Sequence, residues 1–105
     1  MHTGVNWGCG TNTTAPVASI PAGASPYGIQ DMAGNAAEWI RDYHSAGHYS
    51  SSPSTDPLNT TAASQRSVRG GAIPSPAADV RASARVGGDP GVIYAFTGFR
   101  CVRSL

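Results

Sequence analysis

The sequence predicts a small, loop-rich domain of short strands joined by long connections, and three observations carry that prediction. Thirteen Gly and eight Pro lie among many Ser, Thr and Ala in 105 residues, a composition that interrupts long regular elements. Trp7, Tyr27, Trp39, Ile40, Tyr43 and Phe99 supply core anchors of a kind that a disordered chain lacks. Val80–Val86 (VRASARV) alternates Val80, Ala82, Ala84 and Val86 with Arg81, Ser83 and Arg85, the period of a strand with one buried face. A chain of this length holds a single domain, 1–105, with a modest buried fraction.

Charge narrows the classes of partner. Charged residues are 12% of the chain, Lys is absent and the formal net charge is +1, so no basic stripe exists to follow a nucleic acid backbone. No apolar run approaches the roughly 20 residues that span a bilayer, and no signal-peptide apolar region opens the chain. The sequence therefore reads as soluble, without a membrane span; its compartment is open. A disulfide between Cys9 and Cys101 would close a long loop and stabilise by about 4 kcal/mol. Two buried free thiols satisfy the spacing equally well.

The elements follow in order. Residues 1–14 (MHTGVNWGCGTNTT) form an N-terminal arm or turn cluster anchored by Trp7. Residues 15–26 (APVASIPAGASP) set Val17 and Ile20 among small residues, with prolines at both ends and in the middle. Tyr27–Tyr43 (YGIQDMAGNAAEWIRDY) holds the only Glu and two of the five Asp. Asn35 followed three residues later by Glu38 has the form of a helix capping box, with Trp39, Ile40 and Tyr43 at helical spacing. The same stretch also reads as a loop around a hard cation, because carboxylates and inward carbonyls suit Ca²⁺ and Gly34 lets the backbone turn.

His44–Ser64 reads as a polar loop, with a turn at Asp56-Pro57 that docks Leu58. His44 and His48 are four apart, but no third ligand accompanies them and the neighbouring Gly and Ser do not hold a helix, so they read as loop residues. Arg66–Gly71 (RSVRGG) reads as a strand ending at a double-Gly turn, and Gly98–Arg103 (GFRCVR) as a strand with Phe99 and Cys101 on one face. Arg69, Arg81, Arg85 and Arg100 are expected to pair with the few carboxylates and with loop carbonyls.

YGIQDMAGNAAEW, followed by SVRGG and TGFRCV, resembles in order and separation the signature set of the formylglycine-generating-enzyme/sulfatase-modifying-factor family. The resemblance implies an α+β, C-type-lectin-like fold of short antiparallel strands in which the EW segment is a strand, and it replaces the helix reading. It also implies a structural calcium site on the side chains of Asp31 and Glu38 and the carbonyls of Gly34 and Ala36. Ile20 and Ala37 stand where the family usually has aromatics, and the family's extended segment leads into a YGI strand. A further N-terminal half of the family's domains has no counterpart here, which implies a minimal fold or an excised part, and for a minimal fold a homodimer.

The family's enzymes oxidise a substrate Cys with copper held by two cysteines, chemistry that a soft thiolate pair supplies to Cu(I). Matching their R-C-A-A-R element to Arg81–Arg85 puts the copper cysteines at Ala82 and Ala77. The expectation is therefore no enzyme and no catalytic residue. The layout also resembles the variable proteins of diversity-generating retroelements, whose C-terminal segment is rewritten at adenines, typically through Asn codons. Randomising the first two bases of an Asn codon cannot yield Lys, Glu, Gln, Met or Trp, and none occurs from Arg66 to Leu105. The runs AIPSPAAD and GGDPGVIYAF mix bulky apolar groups with turn formers and have no period. The resemblance implies a ligand-binding face within 66–105 for a protein ligand. Its residues would be Ile73, Ser75, Ala77, Asp79, Ala84, Val86, Gly87, Gly88, Val92, Ile93, Tyr94 and Phe96.

Overall fold

The acidic stretch turns sharply and then extends. In the structure, a computed structural model that describes residues 13–103, Gly34 and Asn35 both have positive φ (+79° and +70°). Two successive left-handed residues cannot enter a right-handed helix, so the capping-box pattern starts none. Asn35 instead grips a distant segment: its Nδ2 donates to the Ala15 carbonyl at 3.1 Å and its Oδ1 accepts from the Ala15 N–H at 2.7 Å. Past this turn, the Trp and Ile of Ala37–Tyr43 favour a pleated, half-buried surface, and the segment is strand β1, as the family resemblance implied.

Strand β2 (Arg66–Arg69) runs antiparallel to β1, with Glu38 opposite Arg69 and Trp39 opposite Val68. A bulge between Trp39 and Tyr43 shifts the register before Tyr43 meets Arg66. As expected, β2 ends at the double glycine, where Gly70 and Gly71 take φ of +90° and +69°. Strand β3 (Val86–Gly88) lies antiparallel on the outer side of β2, and β4 (Thr97–Gly98) lies beside β1. The sheet order is β3-β2-β1-β4. The β1–β4 pair is parallel, so the sheet is mixed and not wholly antiparallel.

Three strand expectations need correction. Where Val80–Val86 was expected to be a strand, Val80 ends a 3-10 turn, Ala77–Val80, and the Ala84 N–H closes back on the Arg81 carbonyl at 3.0 Å; pairing begins only at Val86. Alanines at alternate positions bury too little surface to outweigh that local turn. In Gly98–Arg103 the ladder stops at Gly98, because Arg100 reaches sideways to the acidic turn, and Phe99 (76% accessible) and Cys101 are exposed. The YGI segment is a turn in which Ser25 Oγ accepts from the N–H groups of Tyr27 and Ile29 and Gly28 has φ +79°. Tyr27 is 91% accessible, so it and Phe99 are not the core anchors they were expected to be. Trp7 and Cys9 lie outside the described residues.

The core of the described residues is thin. Val68 and Ala72 are its buried apolar side chains, flanked by buried Ser67 and Asn59. Asn59 is fully used: its Nδ2 donates to the Tyr43 carbonyl (2.8 Å), its Oδ1 accepts from Thr61, and its N–H donates to Asp42 Oδ2. This network ties the long polar loop to the end of β1, with Leu58 half-buried beside it. Short 3-10 turns at Pro21–Gly23, His48–Ser50 and Ala77–Val80 are the helical component among the described residues. Among the described residues there is one sheet and no second layer of elements, so apolar side chains on its outer surfaces are accessible there.

Candidate functional site

The acidic turn is cross-braced from several sides. The Gly34 N–H donates to the Gly70 carbonyl at 2.6 Å, and the Ile73 N–H to the Asn35 carbonyl at 3.1 Å, which locks the turn onto the start of the C-terminal segment. Asp31 Oδ2 accepts from the Ala18 N–H at 2.8 Å. Both Glu38 oxygens are held by Arg100, from Nε at 2.7 Å and from Nη2 at 2.6 Å, and the same guanidinium donates to the carbonyls of Gln30 and Asp31. The hydrogen bonds to Glu38 raise the Arg100 pKa above its ordinary value; burial works against this, and attraction to Glu38 and Asp31 adds to it.

Four hard oxygen donors on one turn have the chemistry that calcium takes: two carboxylates, on Asp31 and Glu38, and two carbonyls, of Gly34 and Ala36. The competitor is Arg100, whose fork already supplies positive charge to Glu38. Among the described residues no cluster of three or more His, Cys, Asp and Glu side chains is placed to hold a metal. His44 and His48 line a common recess, but His44 Nδ1 faces Ser67 Oγ at 3.3 Å.

The C-terminal segment divides into held and open positions. Val92, Tyr94 and Phe96 are 49%, 40% and 43% accessible and Ile93 is 97% accessible, so this run lies open instead of being packed inside. Tyr94 is anchored: its ring meets Trp39 edge-on at 5.8 Å and its hydroxyl accepts from the Asp89 N–H at 3.0 Å. Asp79 and Ala77 are exposed, Ile73, Ser75 and Ala84 are half-buried, and Val86 is 55% accessible.

Gly87 and Gly88 sit differently. Both lie in β3, and a Cβ on Gly88 would come within 2.7 Å of the Trp39 ring. One on Gly87 would collide with the Gln65 side chain and approach His44 within 2.7 Å. These two positions support the face; side chains there would have to displace it.

Two recesses open along the segment. Ser75, Asp79, Ala84 and Val86 share a cavity of about 440 Å³ with Tyr49 and with Arg69, Arg81 and Arg85. Ile73, Ser75 and Ala77 share another, of about 300 Å³, with Ile20, Asp31 and Asn35. The arginines act as expected, Arg100 pairing with Glu38 and the others donating to loop carbonyls: Arg69 to Ala82, Arg81 to Ala78, Arg85 to Ser45 and Ala46. Tyr49 was missed by sequence reasoning. It sits in a Ser-rich loop without periodicity, yet it accepts from Arg69 Nη1 at 2.7 Å and carries Arg85 stacked 4.3 Å above its ring. Asn35, read as a cap, was missed as a brace for the same reason: its partner Ala15 is 20 residues away.

Residues 4–105 match the family described as the sulfatase-modifying factor enzyme 1-like domain. Among curated relatives, the serine/threonine-protein kinase pkn1 of Chlamydia caviae is 36% identical over 97 residues, covering 90% of this chain and 15% of that protein. The formylglycine-generating enzyme of Thermomonospora curvata is 38% identical over 99 residues, covering 88% of this chain and 32% of the enzyme. The chain therefore spans less than a third of either relative. Among solved structures, PvdO from Pseudomonas aeruginosa superposes with a TM-score of 0.73 at 29% identity, over 87% of this chain and 34% of the other. Treponema denticola variable protein 1 superposes with a TM-score of 0.61 at 26% identity, over 85% of this chain and 31% of the other.

Proposed function

Because the chain belongs to the family of sulfatase-modifying factor enzyme 1-like domains, we propose that it uses that family's fold as a non-enzymatic binding scaffold. In this reading it is a variable protein of a diversity-generating retroelement, displaying changeable side chains of residues 66–105 to a protein ligand. The observation that carries the proposal is the open run Val92–Phe96, whose apolar and aromatic side chains stand on a backbone held at Asp89, Trp39 and β4. Accessible apolar patches with an aromatic anchor mark sites of protein association. The likeness to a variable protein of Treponema denticola supports the same reading.

Absence of the family's copper chemistry belongs to the proposal. Ala77 and Ala82 carry no sulfur; Ala77 lies in a 3-10 turn, and the Ala82 carbonyl is spent on Arg69. The second reading, a catalytically inactive relative of the formylglycine-generating enzymes with a structural or other binding role, is favoured by the likeness to those enzymes together with the same two alanines. The two readings separate in the neighbouring DNA. A near-copy of the Arg66–Leu105 coding stretch, differing at adenines and lying beside a reverse-transcriptase gene, is expected; its absence gives the second reading. Turnover of a Cys peptide by the purified protein with copper would overturn both.

The scaffold reading also includes calcium on Asp31, the Gly34 and Ala36 carbonyls and Glu38, with Glu38 shared between the ion and Arg100. A second copy of the chain is proposed to cover apolar residues outside the binding face, Tyr27 and Phe99 among them. A strictly monomeric mass by light scattering at high protein concentration removes the dimer.

A further inference from the structure

We propose that the cavity beside the binding face is an acidic-peptide site, in which Arg81, backed by Arg69 and Arg85, receives a carboxylate side chain of the ligand. This rests on the binding-face reading, since Ser75, Asp79, Ala84 and Val86 from that face line the cavity. It adds the chemistry that the face recognises.

Charge is the first observation. Three guanidinium groups and one carboxylate, Asp79, line the same recess of about 440 Å³. The ion pair among the described residues is Arg100 with Glu38, so none of the three is neutralised by a carboxylate. Backbone carbonyls orient a guanidinium but cancel only part of its charge. A recess with net positive charge and apolar walls, here Val68, Ala84 and Val86, concentrates an anion.

Preorganisation is the second. Arg85 is fixed by the carbonyls of Ser45 (2.6 Å) and Ala46 (3.2 Å) and by the Tyr49 ring, and Arg69 by the Tyr49 hydroxyl and the Ala82 carbonyl. Tyr49 in turn donates to the Ser83 carbonyl at 3.2 Å. These two arginines and Tyr49 make a braced wall. Arg81 differs: it donates Nε to the Ala78 carbonyl at 2.8 Å, and among the described residues its two terminal nitrogens meet no partner. That leaves the planar fork that matches a carboxylate in two parallel hydrogen bonds. The recess has the volume of sites that admit a side chain or small ligand and not a long surface. A net charge of +1 and the absence of a basic stripe place nucleic acid outside its reach.

The test uses two capped tripeptides, Phe-Glu-Phe and Phe-Gln-Phe, titrated into the full chain and followed by NMR shifts of the arginine side chains, with inorganic phosphate as a third probe. The Glu peptide is expected to bind about tenfold tighter than the Gln peptide, as a charge-assisted pair would give. Raising salt should shrink the difference, Arg81→Gln should remove it, and Arg81→Lys should retain part of it. Should Arg81→Gln prove unstable, the Glu-against-Gln preference and its salt dependence in the unaltered protein still decide. Equal binding of the two peptides, no saturable shift with either, or a preference that survives Arg81→Gln overturns the site. Tighter binding of phosphate than of the Glu peptide overturns the peptide assignment. A working site with no template repeat in the DNA sinks the retroelement reading alone; a repeat without the Glu preference sinks this site alone.

Discussion

The acidic turn with β1 and the open C-terminal run are built on opposite principles, although they touch. From Asp31 to Tyr43, side chains reach distant partners: Asn35, Asp31 and Asp42 hold the backbone of Ala15, Ala18 and Asn59, and Glu38 holds the Arg100 guanidinium. From Asp89 to Phe96, the chain closes largely on its own neighbours, as in Val92 on Asp89 and Thr97 on Tyr94; Val92, Ile93 and Phe96 stand accessible while Tyr94 turns back onto Trp39 and the Asp89 N–H. The first region cannot change Asp31, Asn35, Glu38 or Asp42 without losing a bond to a residue distant in sequence. The second can change Val92, Ile93 and Phe96, whose side chains carry no hydrogen-bonding group, so long as Asp89 and Tyr94 keep theirs. Tolerance to substitution thus depends on who makes the hydrogen bonds, not on how regular the segment looks.

The strongest way to break that contrast is a framework position hidden in the loop-like part. Gly71 has φ +69°, and a Cβ there would come within 2.5 Å of Val80 Cγ1 and 3.3 Å of the Asp79 carbonyl. Gly71→Ala combines left-handed strain with overpacking and is expected to cost about 2–4 kcal/mol, read as a shifted midpoint in urea. A loss under about 0.5 kcal/mol, the usual surface range, would show that the double-Gly turn is as permissive as the open run.

Next in size is the brace itself. Arg100→Gln leaves Glu38 without its partner and frees the carbonyls of Gln30 and Asp31. Because the pair is partly solvated (side chains 38% and 26% accessible), the expected loss is about 1 kcal/mol and not the cost of a buried pair. The same variant sharpens the calcium proposal. With the guanidinium gone, calcium should raise the melting temperature more than it does in the unaltered protein, and Glu38→Ala should abolish the rise. Melting curves that coincide in calcium and in chelator, for both the unaltered chain and Arg100→Gln, remove the ion.

The framework was legible in the sequence and the side-chain bracing was not. β1, β2 and the double-Gly turn were readable because the family motif and the Gly pair mark backbone conformation directly. The Val80–Val86 strand misled because alternation records a pattern of residue types, and with Ala at two of its four inner positions there was little burial for that pattern to report. Tyr27 and Phe99 read as core by type, yet burial depends on a facing layer that the described residues do not include. Of the candidate face, Val92, Ile93 and Phe96 lie open as expected, whereas Gly87 and Gly88 are fitted against Gln65, His44 and Trp39. A cross-chain fit of that kind leaves no trace in local spacing.

The smallest effect is expected where side chains stand free. Ile93 is 97% accessible and flanked by residues whose backbone bonds do not involve it, so Ile93→Ser removes almost no buried area and should shift stability by no more than about 0.5 kcal/mol. Its neighbour Tyr94 makes the internal control. Tyr94→Ser would lose the edge-on contact with Trp39 and leave the Asp89 N–H without its acceptor, so it should cost more, about 1–2 kcal/mol. If the pair of urea midpoints keeps that order, diversification at Ile93 is free while Tyr94 carries the loop. Equal losses would place both residues in the framework and shrink the changeable face to its outermost side chains.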